Sequence, residues 1–463
     1  MFLLVVEQAR TRALRQGFRS TTPITSSVAM PHFLPKFALA AVLVLAGSVC
    51  TRGQEWPRFR GPNGSGVSQA TTIPVQWTSA DYRWRVSLPG VGYSSPVVAG
   101  NRIFVSSALE EDGTQIISCL STSGGSLLWK RTFPGKTYPK HPFNLYASST
   151  PALDEQNVYM TWATPERYTL VALDQSTGRL QWQRDLGPFV SQHGFGASPI
   201  VFDQLVIVPN EQDGPSSVIA VERRTGQTRW IAPRRTEKAA FSTPCIYRPK
   251  VGRPQLILTS WAHGISSLDP ATGHVNWELP IFRYRVVGSP ALVGHLLVAS
   301  CGSGGAGKQT VVVRPGNPAD GTQPEVAYEV KGSLPYVPTP IAHGAVLFLW
   351  YDGGVVTCLD GPTGRIFWRR RIGGDYFGSP VRVRDRLYCI SREGEMVVLA
   401  ASRTFDLLAR IDLEERSHST PAVAGGVMYL RTESHLMAIG GSDPSGSADR
   451  REDDRRADRA TAR

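Results

Sequence analysis

Cysteine is scarce in this sequence: six residues in 463. None sits in a Cys-x-x-Cys-His arrangement, which excludes an attached c-type haem, and no two are adjacent. Membrane-length apolar runs are missing too. Ala38–Gly47 is apolar but too short to span a bilayer, which takes about 20 residues. It follows Lys36 and ends in small residues, the pattern of a secretory signal. Residues 1–29 carry no core pattern, so Met30 is the expected start, and residues 1–53 are expected to act as the export signal. Gly47-Ser48-Val49 before Cys50 is a poor lipobox, so lipidation there is not expected. No transmembrane anchor is expected once the signal is removed.

A basic cluster with interleaved aromatics is also absent, which argues against a nucleic-acid partner. The net charge is +12, but residues 1–53 carry +5 of it, and the remainder is modest for this size. From Ser442 onward the chain is Asp, Arg, Ser, Gly and Ala. It has nothing to bury and is expected to be disordered. Export implies an oxidising compartment, periplasmic or extracellular. Cys119, Cys245, Cys301, Cys358 and Cys389 would remain, so at least one thiol stays unpaired.

What the chain has in abundance is repetition. Ala172-Leu-Asp174-Gln-Ser-Thr177-Gly178-Arg-Leu-Gln-Trp182 returns with Gly226 and Trp230, with Asp269, Gly273 and Trp277, and with Asp360, Gly364 and Trp368. A looser copy ends at Trp129. Each reads as strand, tight turn, strand: the acidic side chain accepts turn N–H groups, Gly supplies a positive φ, and Trp packs at the unit boundary. Cys119 and Cys358 fall on the Ala position and are expected to be small buried side chains. A second marker keeps step with the first. It is a Ser-Pro or Thr-Pro opening an apolar strand, at Pro96, Pro151, Pro199, Pro244, Pro290, Pro340, Pro380 and Pro421. Eight markers about 40–50 residues apart, with four strands between them, predict an all-β, eight-bladed β-propeller of four-stranded antiparallel blades.

The last unit lacks its Trp strand, and an orphan strand containing Trp84 precedes the first marker. Residues 82–88 are therefore expected to pair within 418–440 and close the ring. The propeller would occupy residues 82–441, after an extension over 54–81 and before a charged tail over 442–463. Two units are degenerate, with Ala327-Tyr328 and Leu407-Leu408-Ala409 where the Trp strand belongs.

With these residues the chain resembles the PQQ-binding-like β-propeller repeat proteins. The opening Trp56-Pro-Arg-Phe59-Arg60-Gly61-Pro62 is similar to the start of bacterial propellers of that group. The resemblance implies one of two functions. One is a non-catalytic scaffold of the cell envelope that binds proteins, as in the outer-membrane assembly lipoprotein of the β-barrel machinery. The other is a PQQ-dependent dehydrogenase of alcohols or sugars, which wants Arg or Lys for the quinone's carboxylates, calcium held by Glu, Asn and Asp, and an Asp base. Fold does not choose between them. A third class, a hydrolase or lyase using a carboxylate–histidine pair, has no motif to mark it.

Any site is expected on the face where loops enter the Ser/Thr-Pro strands. The candidates there are Tyr93, Tyr146, Trp162, His193, Glu211, Trp261, His263, Arg285, Lys308, Tyr336, Trp350, Asp352 and His418. Trp162, Trp261 and Trp350 share one position, the end of the second strand. They would either ring the funnel mouth, stacking a flat ligand or gripping a peptide, or fill it as ordinary packing. His193, His263 and His418 are candidates to meet over a metal, though nothing in the sequence sets their spacing, and no metal site is assigned. Gly302-Ser-Gly-Gly-Ala-Gly-Lys308 lacks the Ser/Thr and following helix of a phosphate loop and reads as a flexible loop.

Overall fold

The structure is a computed structural model that describes residues 55–235, 238–304 and 307–441. The expectations for Met30, the export signal, Cys50 and the tail from Ser442 lie outside the described residues. Eight sheets arranged around a central channel make an eight-bladed β-propeller. Blade 1 runs Val97–Ala99, Arg102–Ala108, Gln115–Ser121 and Leu127–Phe133, from the channel outward. Blades 2 to 7 open at Ala152–Leu153, Ile200–Phe202, Cys245–Tyr247, Ala291–Val293, Ile341–His343 and Val381–Val383. Blade 8 takes Ala422–Ala424, Val427–Arg431 and His435–Gly440 from the C-terminal end, and Trp84–Ser87 from the N-terminal end. Trp84 pairs with Ala438 and Ser87 with His435. The orphan strand thus closes the ring by supplying the outermost strand of blade 8.

The middle strands are buried along their whole length because both faces of a blade are covered by neighbouring blades. Leu205–Asn210, Gln255–Ser260 and Leu296–Cys301 are buried at every residue. In the outermost strands burial alternates instead, as in Thr228–Arg234. The repeated Trp residues each donate their indole N–H to a backbone carbonyl in the next blade: Trp84 to Thr122, Trp129 to Gln175, Trp182 to Arg223, Trp368 to Ser402. Where the fifth unit lacks Trp, Tyr328 takes its place, packing on Gly364 and donating to the Gly361 carbonyl at 2.5 Å. The five described cysteines are free and buried.

The extension is where the structure adds most. Residues 55–68 do not lie outside the ring but cross the lower end of the channel. Trp56 exchanges two backbone hydrogen bonds with Val98 of blade 1, and Pro57 accepts one from Leu153 of blade 2. Asn63 bonds both the N–H and the carbonyl of Ile246 in blade 4. Val67–Ser68 then pairs parallel with Val381–Val383, so blade 7 has five strands rather than four. Arg58 and Arg60 are buried beneath the channel, bonded to the carbonyls of Pro244, Pro340 and Pro380. Burial lowers the Arg60 pKa to about 9, so the guanidinium stays charged at neutral pH. From there the chain passes under blades 7 and 8, burying Ile73 and Trp77, and reaches the rim at Trp84.

Candidate functional site

Above this plug the channel widens into a funnel with a cavity of about 510 Å³. Phe59, between the two buried arginines, lines its floor. Around the floor stand Ser95, Thr150, Ser198, Thr243, Ser289, Thr339, Ser379 and Thr420, the eight residues of the Ser/Thr-Pro marker. The marker's hydroxyls have a structural task. Seven of the eight accept the backbone N–H of the counterpart in the adjacent blade, as in Ser95 N–H to Thr150 (2.9 Å), Thr150 N–H to Ser198 (3.0 Å) and Thr243 N–H to Ser289 (2.9 Å). Thr420 to Ser95 (3.1 Å) carries the chain of bonds across the closure. The proline that follows has no N–H to compete for these acceptors.

The wall above is aromatic and cationic. His418 stacks on Tyr93 at 4.0 Å, and Phe377 packs edge-on against His418. The Arg392 guanidinium lies 3.9 Å from the Phe143 ring centre and 4.8 Å from that of Phe377, a double cation–π contact. Across the funnel, His193 stacks on His141, and Arg285 donates to it at 2.7 Å. Burial, with the charge of Arg285 and then the neighbouring His141, lowers the His193 pKa to about 4. Burial and Arg392 lower that of His418 to about 4 as well. Both rings are therefore neutral at pH 7. Lys308 Nζ lies 4.8 Å over the ring of Tyr351. Asp352 accepts the N–H groups of Tyr336 (2.7 Å) and Val337 (2.9 Å), and burial outweighs those bonds to raise its pKa.

Of the residues singled out in the sequence, Tyr93, His193, Lys308, Tyr336, Asp352 and His418 line the cavity. Arg285 stands behind His193 and also reaches Asp213 at 3.5 Å. The others are elsewhere. Trp350 is fully buried against Tyr376, and Trp162 is buried against Phe133. Trp261 is half-buried under Lys238, so the three indoles form no ring around the mouth. Tyr146 is buried and bonds to the Tyr138 backbone. Glu211 is buried in an ion pair with Arg234 at 2.8 Å. His263 is buried in blade 4 and bonds Glu278 at 2.7 Å, away from His193 and His418. Phe59, His141, Phe143, Tyr351 and Arg392 also line the cavity. Phe59 comes from the plug, Tyr351 from the end of the strand Val346–Tyr351 and the others from loops outside the repeat phrase, so the repeat did not mark them.

These donors do not suit a calcium–quinone centre. The cavity's carboxylates are Asp352, committed to two backbone N–H groups, and Asp375, next to Arg392. No group of three or more His, Cys, Asp or Glu that could hold a metal occurs among the described residues. Arg285 is occupied by His193 and Asp213, which leaves Lys308 as the cation facing the cavity from that wall.

A closed ring of repeat blades carrying a plugged, aromatic funnel defines a propeller of the PQQ-like repeat class. Residues 113–318 and 352–446 match the family model described as outer membrane protein assembly factor BamB, and the chain belongs to that family. BamB from Moraxella catarrhalis superposes with a TM-score of 0.55 at 15% identity, over 76% of this chain and 97% of that one. Quinohemoprotein alcohol dehydrogenase from Comamonas testosteroni gives 0.57 at 13% identity, over 84% and 81%. The computationally designed Ika8 protein gives 0.57 at 11%, over 78% and 100%. Likenesses this remote establish the fold alone. Among curated proteins, the tetrathionate hydrolase of Acidithiobacillus ferrooxidans is 25% identical over 233 residues, 48% of this chain and 43% of that protein. The match thus spans less than half of that relative's length. No helix among the described residues is long and apolar enough to cross a membrane.

Proposed function

We propose that this protein is an exported binding or assembly scaffold of the cell envelope, and that its funnel face grips a segment of a partner protein. In this reading residues 1–53 direct export, 54–81 carry the plug, 82–441 form the propeller and 442–463 a charged tail. The observation that carries it is the clamp of Phe143, Arg392 and Phe377 at the funnel rim. Phe143 is 42% exposed although it touches a cation and two other aromatic rings. Exposed aromatics beside an arginine are the residue types that anchor protein interfaces. Membership of the assembly-factor family favours the same reading.

The test is cross-linking and pull-down from envelope extract with the wild type, Phe143→Ala and Arg392→Ala. A discrete partner retained by the wild type and lost with both variants is the expected result. Equal retention by all three sinks the proposal. The rival reading is a dehydrogenase that binds PQQ and calcium. Stoichiometric co-elution of the quinone with the protein, followed by dye reduction with alcohols or sugars, would favour it instead.

A further inference from the structure

Outside the funnel, on the same face of the ring, one side chain from the closing N-terminal strand and two from near the end of the propeller form a relay. Ser87 ends the closing strand, and His435 opens the strand beside it. The two are direct cross-strand partners, with Ser87 Oγ 3.2 Å from His435 Nε2. On the other side of the imidazole, Glu415 Oε2 lies 3.0 Å from Nδ1. This is the order nucleophile, base, orienter, at the distances such a relay needs.

The carboxylate is well held. Glu415 Oε1 accepts the backbone N–H of Ser434 at 3.0 Å and its hydroxyl at 2.6 Å, and Oε2 also accepts from Thr432. Burial opposes its charge, but the bonds from Ser434, Thr432 and His435 prevail and keep its pKa below the ordinary carboxylate range. Nδ1 also lies 3.0 Å from the Ser434 hydroxyl, and in the tautomer that places the proton on Nδ1, facing the carboxylate, the Nε2 lone pair faces Ser87. The serine itself is exposed and reachable from solvent.

We infer that Ser87, His435 and Glu415 form a second, catalytic site, with Ser87 as nucleophile, His435 as general base and Glu415 as a positioning residue, acting on short-chain carboxylic esters. In the first step Ser87 Oγ bonds to the ester carbonyl carbon and its proton passes to His435 Nε2. The bond to the alcohol oxygen breaks and the alcohol leaves with that proton. Water then attacks the acyl-Ser87 ester, giving a proton to Nε2. The carboxylic acid departs as Ser87 recovers its proton. The short chain follows from the open setting of Ser87: it is exposed on the outermost strand of its blade, and a long acyl group needs an enclosing apolar wall. The site uses no funnel residue and stands whether or not a partner binds there.

The test is a fluorophosphonate probe on the full chain, with the labelled residue identified by peptide mapping, alongside hydrolysis of p-nitrophenyl acetate. Probe is expected on Ser87, with labelling and hydrolysis absent in Ser87→Ala, an exposed change that leaves the blade intact. His435→Ala is expected to slow both by about 10²-fold or more, the usual contribution of a general base. Glu415→Gln should lose about as much through the wrong tautomer, and Glu415→Asp should restore part of it. Labelling of Ser87 no faster than that of other exposed serines, or equally fast in His435→Ala, overturns the assignment.

Discussion

Gly226 lies against the indole of Trp182 across the boundary between blades 2 and 3, so closely that a Cβ on Gly226 would stand 2.7 Å from Trp182 Cε3. The same relation joins Gly125 to Trp84, Gly178 to Trp129 and Gly273 to Trp230. The Gly and Trp of the repeat phrase are thus two halves of one contact, the Trp of blades 8, 1, 2 and 3 closing on the Gly of the next. Gly226→Ala is therefore expected to cost about 1–2 kcal/mol for its positive φ of 71° and about 1–3 kcal/mol more for overpacking. Gly100→Ala, also at positive φ but with nothing within 4 Å, should show the first cost alone. Denaturant unfolding of the two variants checks this, and equal losses would contradict the ring contact.

Trp350→Ala and Trp182→Ala are expected to differ in stability. Trp350 is fully buried between blades, whereas Trp182 is only half-buried at the blade boundary. Trp350→Ala should cost about 3–5 kcal/mol in chemical denaturation and Trp182→Ala less. A loss under about 1 kcal/mol for Trp350 would put its ring back at the mouth.

Asp174 makes the turn of the phrase sensitive to acid. Bonds from the hydroxyls of Ser176 and Thr177 and their N–H groups lower its pKa to about 2, below an unfolded value near 4. A lowered folded pKa stabilises above the unfolded value, and the benefit disappears as pH falls through the folded one. The stability gap between wild type and Asp174→Asn should be fully open at pH 5 and shrink steadily toward pH 2. A gap that is constant over that range would show that the carboxylate's charge is not what holds the turn.

The plug can be tested at Arg60. Its guanidinium bonds the carbonyls of Pro340 and Pro380, joining blades 6 and 7 from inside. Arg60→Met keeps the apolar stem and removes the bonds, and should cost about 3 kcal/mol, since hydrogen bonds to charged groups contribute about 1.5–3 kcal/mol each. An unchanged melting temperature would mean that the Arg60 bonds add nothing to the other attachments of the plug.

The chain's repetition made the ring legible. Phrase and marker recur at a fixed period, and a unit that buries both faces against copies of itself has one way to stack, so blade number and closure by Trp84 could be read without coordinates. Trp162 and Trp350 show where that reading stops. A shared position at a strand end says which blade level a side chain occupies, but the pleat decides whether it turns into the channel or between blades. Phe59 and Arg392 carried no periodic signal, because the channel is lined by whatever the plug and the irregular loops bring to it. The clearest case is Ser87 with His435. They are 348 positions apart in sequence, and only closure of the ring sets them side by side as strand partners. Local sequence determined the strands, turns and blade count, since those depend on neighbours a few residues away. The funnel and the Ser87 relay were decided by the tertiary structure, since their geometry depends on which distant segments the closed ring brings together.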